Sequence, residues 1–357
     1  MTASDYKVVD LFSGIGGLTH GFFLEGFDVV AGVDIDESCR YAFEQNNQAT
    51  FVSKDIAQVT PEELERFYGK TTGKILIGCA PCTPFSTLNL DRAVYQKSDK
   101  KWMSLDSFRR LITKVSPEIV SMENVAELAN GKKFPVFARF VSTLKKNGYH
   151  VFYKVVDASK YGVPQRRKRL VLLASRLGAI SLIPETHADT PLTVRKSIGD
   201  LPPLRAGQAN ESDDLHRASN LSALNRKRIM ATPKDGGSAK HWDRKLLPKC
   251  FKKKKGKSYK ATVYGRMKWD EPAPTMTTHC HTLGTGRFGH PSQNRAISLR
   301  EAARFQTFPD NYQFQETGSL NISQTARHIG NAVPVRLGRV IAKSIKVHLA
   351  AHRETKS

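Results

Sequence analysis

A glycine loop set directly behind a short apolar strand does most to limit what this chain can become: Asp10 to Gly21 reads DLFSGIGGLTHG. Val8, Val9, Leu11 and Phe12 form a run too short for a helix and rich in β-branched residues, so they predict a buried strand. Gly14, Gly16 and Gly17 permit a tight turn and close backbone approach, and Leu18 to Leu24 reads as the helix that the turn opens. Strand, glycine turn and helix in that order is a nucleotide-binding arrangement. The dinucleotide fingerprint asks for a further glycine where Thr19 stands, which disfavours a pyrophosphate ligand. An ordinary strand-helix corner is the plain alternative.

Four more strands follow in sequence. Asp28 to Val33 ends in Asp34 and Asp36, Thr50 to Ser53 stops before Asp55, Lys74 to Gly78 leads into Cys79-Ala80-Pro81-Cys82, and Glu118 to Ser121 ends in Glu123-Asn124. A carboxylate about twenty residues after the glycines holds a ribose hydroxyl pair in such folds, so Asp34 is read as that ligand. Asp36 is read as the N-cap of a helix over Glu37 to Gln45. In an open parallel sheet the carboxyl ends of the strands share one rim, where ligands bind, and a common site there explains these polar strand ends better than separate accidents.

Cys82 is the candidate nucleophile of that rim, since a thiolate is the most reactive ordinary side chain and a nearby guanidinium or helix N-terminus raises its fraction. Two rivals stay open on the residues alone. Cys79 and Cys82 form a C-x-x-C pair, although Pro84 suits a loop better than the helix start of a redox motif. Cys280, flanked by His279 and His281, offers zinc ligands, but adjacent residues of an extended segment point to opposite faces and no second C-x-x-C exists, so no metal is expected.

Six ordered stretches then resemble the DNA (cytosine-5)-methyltransferase family, prokaryotic type, along nearly the whole chain. DLFSGIGG resembles its S-adenosylmethionine loop, APCTPFS its nucleophile loop and MENV its glutamate motif. Gln165 to Arg169 fits its Q-x-R-x-R motif, SLREAARFQTFPD (Ser298 to Asp310) its ninth block and IGNAVP (Ile329 to Pro334) its tenth. The resemblance implies an α/β fold: a Rossmann-like S-adenosylmethionine-dependent methyltransferase domain with a mostly parallel sheet, plus a smaller inserted target-recognition domain. It places the catalytic domain over residues 1–179, completed by 323–357, and the small domain over 180–322, with target recognition over about 180–295.

The site residues the resemblance implies are these. Cys82 attacks carbon 6 of a flipped-out cytosine, because carbon 5 is too poor a nucleophile to take a sulfonium methyl unaided. Glu123 serves N3 and must hold its proton near neutrality to do so. Without the motif, a strand-end acid capping the next helix is the preferred reading of Glu123. Arg169 contacts the base carbonyl, while Arg167 helps organise the site; Arg166 and Lys168 are left to solvent or phosphate. For the cofactor, S-adenosyl-L-methionine, Phe12, Gly14, Gly16 and Gly17 surround the methionine end, and Ser13 and Pro81 are counted with them. Asp34 holds the ribose, Ile35 packs on adenine, Asp55 and Ile56 meet its edge, and Asn331 and Val333 return to close the pocket. Pro334 should begin a helix whose Leu337, Val340, Ile341 and Ile345 recur at helical spacing.

Charge agrees with a polyanionic partner. The formal net charge of the 357 residues is +23, and Arg244 to Lys268 carries no acid while Phe251, Tyr259 and Tyr264 interleave its cations. A few of those cations should touch phosphates, with Lys252 to Lys257 mobile when unbound. Five cysteines make no disulfide framework, which suits a reducing, cytoplasmic compartment, and neither a signal peptide nor a membrane span is expected. The expected partner is double-stranded DNA, bound by a monomer; a cognate restriction endonuclease would be a separate protein.

Thr83 and His328 replace a glutamine that the family usually has, and the stretch from Leu88 to Ser107 lacks its arginine-glycine element, leaving Arg92 and Lys97 to Lys101 as candidate phosphate contacts at the start of a mobile loop. A catalytically silent DNA-binding relative, an RNA methyltransferase with the same chemistry and a Rossmann oxidoreductase are the competing readings. Intact Cys82, Glu123 and Arg169 count against the silent relative.

Overall fold

A computed structural model describes residues 5–71, 73–81, 103–252 and 263–354. They divide into two compact units, the first comprising Met1–Ala158, Lys168–Glu185 and Val333–Ser357, the second Ser159–Arg167 and Thr186–Ala332.

The first unit begins with β1 (Tyr6–Leu11), α1 (Gly17–Leu24), β2 (Asp28–Asp34), α2 (Arg40–Asn47), β3 (Thr50–Ser53), α3 (Pro61–Tyr68), β4 (Gly73–Gly78), α4 (Met103–Val115), β5 (Ile119–Val125), α5 (Pro135–Lys146), β6 (His150–Asp157) and β7 (Lys168–Ser175). The strands form one sheet in the order β3-β2-β1-β4-β5-β7-β6. β3 to β5 pair in parallel, while β7 runs antiparallel to both β5 and β6. Helices on the faces of the sheet explain why strands such as Val8-Val9 and Ile75-Leu76-Ile77 are buried without alternation. Local chemistry sets the helix starts. Thr60 and Glu63 form a capping box around Pro61 at the first turn of α3, and Asp36 caps a 3-10 turn over Glu37–Cys39 that leads into α2.

Two boundaries differ from the sequence reading. β5 does not give out at Ser121 but runs to Val125, because its last residues pair with the incoming β7, Val125 opposite Arg169. The stretch from Leu88 to Ser107 is not wholly loop either, since α4 starts at Met103 and buries Leu105, Ser107 and Phe108. Cys82, Thr83, Arg92 and Lys97 to Lys101 lie outside the described residues.

The second unit has short helices, α6 (Val194–Ile198), α7 (Ala223–Met230), α8 (Lys249–Lys252), α9 (Leu299–Phe305) and α10 (Ile322–Asn331), joined by long irregular segments. Buried arginines organise it. The Arg266 guanidinium donates to the carbonyls of Thr232, Ile229, His290 and Gln293 and to Asn294 Oδ1. Arg266 therefore leaves the set of candidate phosphate contacts in the basic stretch: it is 1% exposed and its donors serve backbone carbonyls and the Asn294 amide oxygen. Residues 253–262 of that stretch lie outside the described ones, including most of the Lys252 to Lys257 run. Glu301 of α9 caps its own helix through Ser298 and forms a two-point ion pair with buried Arg295 at 2.7 Å.

The chain then returns to the first unit as α11 (Val335–Glu354), whose Leu337, Val340, Ile341 and Ile345 are buried. α11 packs on α1, where Gly21 and Gly338 bring the two backbones together: a Cβ on Gly21 would lie 2.5 Å from Arg339 N. Among the described residues no helix is long and apolar enough to cross a membrane.

Candidate active site

The carboxyl rim of the parallel strands is knitted by backbone bonds that run beyond the strands themselves. Ser13 N donates to Val33 O at 3.1 Å, Lys54 N to Asp34 O at 2.9 Å and Cys79 N to Leu11 O at 3.2 Å. The ends of β1 to β4 are thus held side by side, and with them the glycine loop, Asp34-Ile35, Asp55-Ile56 and Cys79-Ala80-Pro81. Phe12 leaves β1 with φ at 62°, a left-handed turn that redirects the chain into the loop. Gly14 follows at φ 51° with no atom within 4 Å of where its Cβ would stand, so its missing side chain leaves open space on the loop. Gly16, also left-handed at φ 84°, is the N-cap of α1 and Gly17 its first residue.

Asp34 braces this loop. Its Oδ2 accepts from Gly14 N at 2.8 Å and its Oδ1 from Asp36 N at 2.9 Å. Burial raises its pKa from the ordinary carboxylate value, against the pull of those backbone donors. Ile35 beside it is 69% exposed, an unusual position for so large an apolar side chain next to a polar loop. Asp55 Oδ1 accepts from Ala57 N to shape the turn after β3, and Ile56 is buried. Val333 is buried in the first unit; Asn331 is exposed at the end of α10 in the second.

A second acid lies beneath the loop. Asp10 Oδ2 accepts from Thr19 Oγ1 at 2.6 Å, which gives the residue in the missing-glycine position a structural part. Asp10 is 1% exposed; burial, opposed by the Thr19 hydroxyl and reinforced by Asp34, pushes its pKa up to about 7. Ser13 Oγ is buried with no hydrogen-bond partner.

Further along the rim, β5 supplies Glu123 and Asn124. The Glu123 carboxyl, 2% exposed, has a different neighbour at each oxygen: Arg169 Nε from β7 forms an ion pair 3.0 Å from Oε1, which accepts no hydrogen bond, and the Cys79 thiol donates to Oε2 at 2.9 Å. Asn124 Nδ2 donates to Ala80 O at 2.9 Å, tying the segment before Cys82 to β5. Sequence reasoning missed both ties. Cys79 drew notice only as half of a C-x-x-C spacing, and the single available signal was that Glu123-Asn124 and Cys79-Ala80 close neighbouring strands.

Arg169 thus joins Glu123, whereas Arg167 is buried in the second unit and donates to Met276 O and Ala332 O. Arg166 is exposed and pairs with Glu271 at 2.9 Å. Cys280 is fully buried, which pushes its thiol up to about 12, and burial lowers the pKa of His281.

Comparison with known proteins agrees with these features. The family model of C-5 cytosine-specific DNA methylases matches residues 6–347. The chain is 49% identical over 348 residues to the type II methylase M.HgiDII of Herpetosiphon aurantiacus, covering 97% of each chain. It is 31% identical to the type II methyltransferase M.XorII of Xanthomonas oryzae pv. oryzae, covering 94% of this chain and 84% of the relative. Among solved structures, that of a protein described as a DNA modification methyltransferase of an E. coli prophage superposes with a TM-score of 0.72 at 21% identity, over 97% of this chain and 99% of the other. The Dnmt2 methyltransferase of S. pombe superposes at 0.60 and 16% identity, over 97% and 98%.

Proposed function

Because the chain belongs to the family of C-5 cytosine-specific DNA methylases, we propose that it moves a methyl group from S-adenosyl-L-methionine to carbon 5 of a cytosine flipped out of double-stranded DNA, through a covalent adduct with Cys82. The observation that carries this reading is the Glu123 carboxyl, clamped between Arg169 and Cys79 on the rim that bears the glycine loop. The type II names of its relatives support a restriction-modification setting in a bacterial or phage-host cytoplasm. Any cognate endonuclease is then a separate protein, and the methylase itself works as a monomer.

The residues fit the cofactor. Gly14 leaves room on the loop, Ser13 Oγ is a buried donor in want of a partner, and exposed Ile35 offers an apolar face for adenine beside Asp34, the ribose ligand. When bound, S-adenosylmethionine supplies a methyl group on a positively charged sulfur. Phe12, Gly16, Gly17 and Pro81 line the methionine end, Asp55 and Ile56 the adenine edge, and Val333 completes the pocket.

A stacked cytosine cannot present carbon 6, so the base leaves the helix at a cost of a few kcal/mol offset by protein contacts. The Cys82 thiolate then bonds to carbon 6 as the carbon 5–carbon 6 π pair shifts into the ring, and Glu123 gives a proton to N3. Arg169 faces the base carbonyl and holds Glu123 in line. As carbon 5 takes the methyl group, N3 returns its proton to Glu123. Loss of the proton on carbon 5 to a base and departure of the Cys82 thiolate restore the double bond. The catalytic domain is residues 1–179 with 323–357, and residues 180–322, chiefly about 180–295, read the DNA site.

Cys82→Ala is expected to abolish methyl transfer while leaving DNA binding in a mobility-shift assay largely intact. Radioactive methyl incorporation by that variant would remove the nucleophile assignment. Glu123→Gln should cripple turnover as well. Bisulfite sequencing of DNA from cells expressing the chain reads activity, base and site together, and a parallel assay on transfer RNA tests the competing substrate.

A further inference from the structure

The Cys79 thiol meets the Glu123 carboxyl at 2.9 Å, and the transfer steps derived above give that contact no part. We propose that Cys79 is a positioning residue for the reaction: it holds Glu123 Oε2 as the oxygen that carries and delivers the proton to the base. The inference rests on the N3 role of Glu123 given above.

The backbone fixes where this sulfur stands. Cys79 N is bound to Leu11 O, and the carbonyl of the next residue, Ala80, takes the Asn124 amide. Gly78 just before lies so close to β1 that a Cβ there would be 2.8 Å from Leu11 O. With the backbone held on both sides, the half-buried thiol stands beside Glu123 Oε2.

The two oxygens of Glu123 then differ in what they tolerate. Oε1 lies 3.0 Å from Arg169 Nε without a hydrogen bond to it, and a guanidinium has donors and no acceptor, so a proton on Oε1 would find nothing there to receive it. Oε2 faces a thiol, which is both a weak donor and a weak acceptor. Cys79 can donate to the carboxylate and, after rotation, receive from the acid. Arg169 from β7 and Cys79 from the segment after β4 are the charged and titratable side chains that meet Glu123 among the described residues, and they assign the proton to Oε2. A thiol also grips weakly enough for Oε2 to turn to the base, where a stronger donor would compete.

The test compares Cys79→Ala and Cys79→Ser in steady-state methyl transfer on cytosine-containing DNA across pH. In Cys79→Ala, kcat near neutrality should fall by about tenfold, with KM for S-adenosylmethionine within about twofold of the parent because the cofactor loop is untouched. Its alkaline fall-off should move to higher pH, since a donor to the carboxylate has been lost. Cys79→Ser restores a donor and should recover much of kcat and bring the fall-off back. If both variants keep the parent's kcat and profile, or if both lose rate equally with an unmoved profile, Cys79 is mere packing and the proposal is overturned. Glu123→Gln run alongside separates the two ideas. Parent-like turnover there removes the N3 role and this inference with it, whereas an inactive Glu123→Gln beside indifferent Cys79 variants removes only the inference.

Discussion

Gly21→Ala probes the junction that supports the cofactor loop. A Cβ on Gly21 would lie 2.5 Å from Arg339 N and from Gly338 C and 2.7 Å from Gly338 Cα. Those atoms are backbone of α11, with no flexible side chain to swing aside, so the helices must separate by roughly 1 Å to reach ordinary contact. Overpacking of this kind costs about 1–3 kcal/mol, and with backbone on every side the upper end applies. Against it stands the gain from replacing glycine by alanine inside a helix, about 1 kcal/mol. The clash wins, leaving a net loss of about 2 kcal/mol. Urea unfolding followed by far-ultraviolet circular dichroism should show the midpoint fall by about 0.7 M for a slope of about 3 kcal/mol/M. Calorimetric titration should show weaker binding of S-adenosylmethionine, because α1 starts at Gly17 in the loop itself. Gly338→Ala is the internal comparison: its Cβ would meet Leu18 O at 3.0 Å, a far milder conflict. A Gly21→Ala protein as stable as its parent, or one no worse than Gly338→Ala, would refute the reasoning.

Other expectations test separate parts of the molecule. Asp10, held up to about 7 by burial, binds its proton more tightly folded than unfolded, so it lowers stability as pH rises from its ordinary value to 7. Three units correspond to at most about 4 kcal/mol, and Asp10→Asn should therefore melt higher relative to the parent at pH 8 than at pH 4; a pH-independent difference would contradict this. Ile35→Ala should leave the melting temperature unchanged, since the side chain is mostly exposed, yet raise the dissociation constant for S-adenosylmethionine by about tenfold as adenine loses its apolar face. Equal affinities would detach Ile35 from the cofactor. Glu301→Gln strips the partner from buried Arg295 and should destabilise the protein by about 3–5 kcal/mol in urea, whereas a matched replacement of both residues by apolar ones should lose much less.

The first unit was legible in the sequence to the extent that its signals are local. β1, β2, β3 and β4 are short apolar runs closed by glycine or acid, and their ends fall within a residue or so of where the pattern puts them. The helix over Leu337, Val340, Ile341 and Ile345 is read from spacing alone. What escaped depends on partners distant in the chain. β5 is longer than its apolar core because β7 pairs with it, and β6, with Tyr153 and Val155 exposed at the sheet edge, has no alternation to announce it. The left-handed turn at Phe12 and the Cys79–Glu123 contact across 44 residues have no local signature. The second unit was the least legible, since much of its order comes from arginines bonded to carbonyls and acids far away, such as Arg304 with Asp200 and Arg300 with Asp213. A run rich in cations looks the same in sequence whether each faces a phosphate or, like Arg266, a nest of carbonyls.

The discontinuity of the first unit has a consequence for biosynthesis. The ribosome makes the glycine loop and α1 near the beginning, but α11, which covers α1, emerges only after all of Thr186–Ala332 has been translated. Until then the nascent sheet carries an uncovered helix and an unsupported loop, a natural client for a chaperone and a poor receptor for nucleoside. Methylating competence should arise late and abruptly, and a chain stalled before Val335 should leave the host's DNA unmarked.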